Sequence, residues 1–227
     1  MKVGLQKTTL LDYPGHVAAT LFTHGCPLRC PFCHNPELVT GPEPEGFFDE
    51  LEVHAFLDRR KNVLQGVCIT GGEPLLHPEL SRLIKRIRSL GLKVKLDTSG
   101  IFPERLRGLL EAGYLDYVAL DVKSTPDRYP LLNGSGERLL ESVEYLRQAA
   151  TPYELRATAA PGFVDGEYAE WISEFLLPGE PFYLQQYRPG RTLEPRFAEV
   201  RPYTPAELED LAETLRKKER HASLRGA

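Results

Sequence analysis

Six times along the chain, a short apolar run gives way to a longer stretch whose apolar residues recur at helical spacing. The runs fall at residues 17–23, 66–70, 92–98, 116–123, 153–160 and 181–187. The first of them is too apolar to alternate, as expected of a strand covered on both faces. Between the runs, Asp49 with Glu52 three residues on reads as a capping box that opens a helix to about residue 61. A second helix carries Leu80, Leu83, Ile84, Ile87 and Leu90 on one face and stops at Gly91. A third runs from about Pro103 to Gly113. Later helices carry Leu139, Leu140, Val143 and Leu146, then Trp171, Ile172, Phe175 and Leu176, and last Leu208, Leu211 and Leu215 over about 205–217. The charged tail, about 218–227, is expected to fray. Strict alternation of this kind predicts an α/β fold with parallel strands and right-handed crossovers. Six units are too few for a closed eight-stranded barrel, so the expectation is a partial (β/α)6 barrel with its active site at the carboxyl ends of the strands. No internal repeat or long linker divides the chain, which reads as one domain over 1–227.

Between the first strand and the first helix lies the densest chemistry in the sequence. Cys26, Cys30 and Cys33 stand in C-x3-C-x2-C spacing inside an irregular loop, about 24–40. The chain has four cysteines, three of them in this cluster, which is not a disulfide framework. The residues leave two readings open. One is a closed zinc site completed by His24, His34 or Cys68, since structural zinc wants four ligands. The other is a four-iron cluster with one iron left free for a ligand. Cys68, alone within a strand, reads as a buried structural thiol.

Other unusual residues gather at the ends of the predicted strands. Gly71-Gly72-Glu73-Pro74 follows the second, Asp97-Thr98 closes the third, and Asp121 and Lys123 close the fourth. Arg156 lies within the fifth, where a charge needs a partner, and Gln185 and Gln186 are near the end of the sixth. Each has a plain alternative: the glycines a turn, the aspartates loop caps, Lys123 a solvated charge, Phe32 a packing residue. Together on one face they fit a ligand site. Glycines admit close backbone approach, free carbonyls with a carboxylate suit an ammonium group, Asp97, Thr98 and Asp121 offer oxygens to a cation, and Lys123 suits a carboxylate.

A formal net charge of −4 argues against a general nucleic-acid binder. No apolar run reaches the roughly 18 residues of a membrane span, and the N-terminus lacks the apolar core of a signal peptide. A cytoplasmic protein that engages neither nucleic acid nor membrane is expected.

The cysteine spacing is that of radical S-adenosylmethionine (SAM) enzymes, and the resemblance extends along nearly the whole chain. Leu11-Asp-Tyr-Pro-Gly-His, Cys30-Pro-Phe-Cys-His-Asn-Pro-Glu, Thr70-Gly-Gly-Glu-Pro, Leu96-Asp-Thr-Ser-Gly, Leu120-Asp-Val-Lys and Leu184-Gln-Gln-Tyr-Arg-Pro occur in order. The chain resembles the activating proteins of anaerobic ribonucleoside-triphosphate reductases, within the glycyl-radical-enzyme activases. That resemblance implies a [4Fe–4S] cluster on Cys26, Cys30 and Cys33, and SAM bound to it. Gly71, Gly72, Glu73 and Pro74 would hold the SAM amino group, the backbone around Phe32 and His34 would meet adenine, and Lys123 would face the carboxylate. Asp97, Thr98 and Asp121 match positions that bind a monovalent cation in the pyruvate formate-lyase activase, and Arg156 matches an arginine of that site. The implied partners are a glycyl radical enzyme, here an anaerobic ribonucleotide reductase, and a reductant such as flavodoxin. The sequence departs from the family at Ser124-Thr125-Pro126, a segment expected to help choose the partner. Two competing functions are a radical SAM enzyme on a small molecule, such as 7-carboxy-7-deazaguanine synthase, and a zinc or iron–sulfur carrier without enzymatic activity.

Overall fold

The computed structural model describes residues 1–216 and 222–225. In chain order the strands are β1 (Lys2–Thr9), β2 (Ala18–Thr23), the two-residue β3 (Phe48–Asp49), β4 (Gly66–Gly71), β5 (Lys93–Thr98), β6 (Tyr117–Asp121), β7 (Tyr153–Ala159), β8 (Phe182–Gln186) and β9 (Ala222–Arg225). The α-helices are α1 (Glu50–Arg60), α2 (Leu80–Arg88), α3 (Pro103–Glu111), α4 (Gly136–Gln148), α5 (Gly166–Phe175) and α6 (Pro205–Arg216). The sheet order is β3-β1-β2-β4-β5-β6-β7-β8-β9. From β2 to β9 every neighbouring pair is parallel, and β1 runs antiparallel to both of its neighbours. The six predicted β/α units are therefore present as an open, partial barrel whose end strands β3 and β9 do not pair with each other.

The helices form where the sequence signals stand. Asp49 accepts from the Leu51 and Glu52 amides, and Glu52 accepts from the Asp49 amide in return, closing the capping box. Leu80, Leu83, Ile84 and Ile87 of α2 are buried while Lys85, Arg86 and Arg88 lie in its last turn, matching the helix dipole. The strand interiors are packed with fully buried Leu21, Ile69, Leu96, Leu120 and Leu155.

Two elements differ from expectation. Residues 2–9, considered above only for the lack of a signal sequence, form a strand, because Val3 and Thr9 bury one edge of β2 while Lys2, Gln6, Lys7 and Thr8 stay exposed. In the tail, residues 222–225 are not frayed. They pair with β8, Ala222 is buried, and Arg225 binds both oxygens of Glu154 at 2.8 and 2.9 Å. A fully buried carboxylate on β7 needs a cation, and β9 supplies it. The rest of the predicted tail, 217–221 with 226 and 227, lies outside the described residues.

Candidate functional site

A cavity of about 270 Å3 opens at the carboxyl ends of the strands and lies near the lower end of the range for small-molecule sites. Its lining includes Cys26, Cys30 and Cys33 of the loop, Gly71 and Gly72 after β4, and Asp97, Thr98, Asp121 and Lys123 at the ends of β5 and β6. The fold brings these together because each follows or ends a parallel strand.

The cysteine loop is fixed by backbone bonds to distant segments. The Gly25 and Cys26 amides donate to the Leu38 and Val39 carbonyls at 2.8 and 3.3 Å, the Arg29 amide to Leu132 at 2.8 Å, and the Leu193 and Glu194 amides to Cys33 and Pro31 at 3.1 and 3.0 Å. Asn133, the one non-glycine residue of positive φ among the described residues, donates its side-chain amide to the Pro27 carbonyl at 2.9 Å. Burial pushes the Cys26 thiol up to about 12 and the Cys30 thiol to about 11, so both are protonated at neutral pH and would lose those protons on binding metal.

The turn after β4 presses against that loop. The Gly72 amide donates to Thr23 at 2.8 Å and the Glu73 amide to Gly25 at 2.9 Å. Gly71 has φ +117°, a conformation that L side chains rarely adopt.

Glu73 and Pro74 do not reach the cavity. Glu73 is 1% exposed, and its carboxylate accepts from the Leu75 amide at 3.0 Å, the Thr98 hydroxyl at 2.7 Å and the Ser99 amide at 2.8 Å, with the Ser99 hydroxyl as a fourth donor. The expected carboxylate for an ammonium group is thus spent on tying the β4 and β5 ends together. Ser99, a residue without an assigned role in the sequence, is half of that tie.

A chain of charges runs through Asp97 and Asp121. Lys95 pairs with Asp97 Oδ1, and Asp97 Oδ2 faces Arg156 Nη1 at 3.1 Å. Arg156 Nε reaches Asp121 Oδ1 at 2.8 Å, and Asp121 Oδ2 lies 3.3 Å from Lys123 Nζ. All four carboxylate oxygens therefore already face an ammonium or guanidinium group. Thr98 is bound to Glu73 and to the Gly100 amide. The oxygens expected to face a monovalent cation are thus turned to side-chain cations and to Glu73 in this structure. Burial alone would raise the Asp121 carboxyl, but Arg156 and Lys123 more than offset this and hold it at about 2. For Lys123, burial works against the charged form, and the Asp121 carboxylate outweighs it and carries the pKa above its usual value. Two buried tyrosines fix the segment: the Lys123 amide donates to the Tyr129 hydroxyl at 3.0 Å, and the Tyr168 hydroxyl donates to the Val122 carbonyl at 3.0 Å. Neither tyrosine was marked by the sequence motifs.

Phe32 borders the cavity, but its ring packs with Phe163 and Phe197, at centroid separations of 5.2 and 6.3 Å. His34 also borders it, hydrogen-bonded through Nε2 to the Arg188 carbonyl at 2.7 Å and stacked on Tyr187. Thr158 and Gln185, from β7 and β8, complete the far wall. Ser124 and Thr125 are buried, with the Ser124 hydroxyl on the Phe163 carbonyl at 3.1 Å, and Pro126 is half-buried.

The donor set fits a cluster better than a single ion. Among the described residues no three His, Cys, Asp or Glu side chains meet closely enough to share one metal ion. In a cubane each cysteine takes a different iron, so thiols spread along a cavity wall suit it, and a closed zinc site does not form this way. Cys68, weighed above as a fourth zinc ligand, is buried against Lys95 and Asp97, away from the loop.

Comparison with known proteins bears on the same residues. The family model of the radical SAM superfamily matches residues 20–175, more than half of the chain. The chain belongs to the radical SAM superfamily. One relative of this radical SAM protein, from Methanocaldococcus jannaschii, bears a name that places it among glycyl-radical enzyme activating enzymes; it is 27% identical over 94% of this chain and 91% of its own length. A pyruvate formate-lyase-activating enzyme of Listeria monocytogenes is 31% identical over 68% of this chain and 66% of its own length. Among solved structures, Streptococcus suis SuiB bound to S-adenosylmethionine shares the fold at TM-score 0.69 and 18% identity, over 90% of this chain and 49% of that one. Among the described residues no helix is long and apolar enough to cross a membrane.

Proposed function

We propose that this radical SAM protein activates a glycyl radical enzyme, and that the enzyme it activates is an anaerobic ribonucleotide reductase. The observation that carries the reading is the convergence of Cys26, Cys30, Cys33, Gly71, Gly72 and Lys123 on one cavity. The names of the two relatives support an activase, and the motifs flanking the cysteines support this particular partner. A [4Fe–4S] cluster and SAM bound here would supply the chemistry: one electron from a donor such as flavodoxin would break the SAM carbon–sulfur bond to give methionine and a 5′-deoxyadenosyl radical able to take a hydrogen atom from the partner's glycine.

The chain's own residues do the rest. Cys26, Cys30 and Cys33 would hold three irons and leave the fourth without a protein ligand. Gly71 and Gly72 let the turn lie against the Thr23 and Gly25 backbone, where any Cβ would clash, and bring main chain to the cavity edge where an amino group would sit. Lys123, held charged by Asp121, meets a carboxylate. The backbone at Phe32 and His34 borders the space left for adenine, and the aromatic cluster behind Phe32 keeps water from that wall. These contacts orient the reacting atoms, which is the protein's main contribution to such chemistry.

The test is anaerobic reconstitution with iron and sulfide, dithionite reduction in the presence of SAM, and quantification of 5′-deoxyadenosine, with Cys30→Ala as control. Cleavage lost in the variant, together with a glycyl radical signal in an added anaerobic ribonucleotide reductase, is the expected result. Cleavage with no radical on the reductase would retain the chemistry and reject the partner. One tightly held zinc and no SAM binding would sink the reading.

A further inference from the structure

Lys95 is a buried charge that the reading above does not use. It is 1% exposed, in the middle of β5, and it does not line the cavity. Strand pairing places it in a row with Thr20, Cys68 and Tyr117, none of which carries a charge at neutral pH. Its ammonium lies 3.8 Å from the Cys68 sulfur and pairs with Asp97 Oδ1. A buried ammonium is costly and persists only where something needs it.

Its place in the chain of charges shows what that is. Lys95, Arg156 and Lys123 are three cations; Asp97 and Asp121 are two carboxylates; the contacts run Lys95, Asp97, Arg156, Asp121, Lys123 in order. This contact chain carries one surplus positive charge, the neighbouring Glu73 carboxylate being held outside it by neutral donors, and Lys123 is the member cation that lines the cavity. Without Lys95 the charges cancel. Asp97 would then draw Arg156 away from Asp121, Asp121 would hold Lys123 more tightly, and a ligand carboxylate would meet no surplus charge. A small cation entering beside Asp97 would restore the balance.

The geometry points to Lys95 as a built-in counter-cation of the cavity, a positioning residue that acts through Asp97 and Arg156 and makes a diffusible monovalent cation unnecessary for binding SAM. The inference rests on the SAM site proposed above and goes beyond it by naming how the site's charge is set.

The experiment measures SAM affinity of the reconstituted protein by calorimetry at one ionic strength, in sodium, potassium or tetramethylammonium chloride. Wild type should bind equally in all three. Lys95→Gln should bind about tenfold or more weakly in tetramethylammonium, as expected for losing one charge near a ligand carboxylate. Sodium or potassium should recover much of that loss, and Lys95→Arg should resemble wild type. In SAM cleavage the loss should fall on KM, with kcat at saturating SAM nearly unchanged, which a general structural defect would not produce. Thermal melting in the three salts gives a readout that needs neither SAM nor a partner. The wild-type midpoint should be the same in each, and the Lys95→Gln midpoint should rise selectively in sodium or potassium. If SAM does not bind at all, the functional reading fails and the melting comparison still judges Lys95. If Lys95→Gln does not fold, the wild-type comparison decides alone. A wild-type affinity or melting midpoint that depends on sodium or potassium, or a Lys95→Gln affinity equal to wild type, would overturn the assignment.

Discussion

Gly72 lies so close to the cysteine loop that a Cβ would stand 2.2 Å from the Gly25 carbonyl oxygen and 2.7 Å from that of Leu38. Both atoms are backbone, so neither moves aside alone. Gly72→Ala should therefore shift the loop that carries Cys26, weakening SAM binding by tenfold or more in calorimetry while the far end of the barrel stays folded by circular dichroism. Glu73 offers a second test. With four donors on its two oxygens, Glu73→Gln places an amide NH2 against hydroxyls and amides that themselves donate. The expected loss is about 1–3 kcal/mol in urea unfolding, the usual cost of a buried polar group left unpaired. The difference between these residues and Lys95 explains what was legible. Three cysteines in eight residues announce themselves because ligand spacing is local. Lys93 and Lys95 look alike in sequence, two apart on one strand and so on one face. Yet Lys93 is exposed and Lys95 is buried, and that depends on how far along the strand each lies.

At the scale of elements, the helices and the six central strands follow from local signals: the capping box at Asp49, apolar periodicity, and glycine or proline at the ends. The end strands do not. β9 is held less by its own apolar content than by one remote carboxylate. Glu154 is fully buried on β7, takes a 3.0 Å hydrogen bond from Tyr117, and meets the Arg225 guanidinium, which also covers the Tyr183 ring at 3.4 Å. No pattern within residues 222–225 reports a partner 71 residues away. Arg225→Ala should cost about 3 kcal/mol, because it leaves a buried carboxylate without its cation. Adding Glu154→Gln to that variant should restore part of the loss, since the amide carries no charge to strand. The pair of urea midpoints, read as a double-mutant cycle, checks this; equal midpoints with and without Glu154→Gln would show that β9 is held by packing alone.

For the whole molecule, the alternation of strands and helices specifies a parallel sheet, and the rule that such sheets bind ligands at their carboxyl ends specifies where the cavity lies. What alternation does not specify is how the layers are clipped together, because those contacts join residues far apart in sequence. Glu180 is one clip. It sits between α5 and β8, 5% exposed, and its carboxylate takes Arg147 of α4 at 3.0 and 2.8 Å, the Tyr153 hydroxyl of β7 at 2.6 Å and the Leu177 amide at 2.9 Å. Burial would raise its pKa, but the bonds from Arg147, Tyr153 and Leu177 together outweigh burial and hold it below its ordinary value. The unfolded chain has a glutamate pKa of about 4.3. A carboxyl depressed in the folded state contributes stability that is complete above the unfolded pKa and is lost as pH falls through the folded one. Wild type should therefore lose urea resistance as pH drops from about 5 towards 3. Glu180→Gln should start lower at pH 7 and lose less over that interval, since it has no carboxylate to protonate. Parallel acid limbs in the two proteins would mean that the clip contributes no more folded than unfolded, and that acid sensitivity resides in other carboxylates.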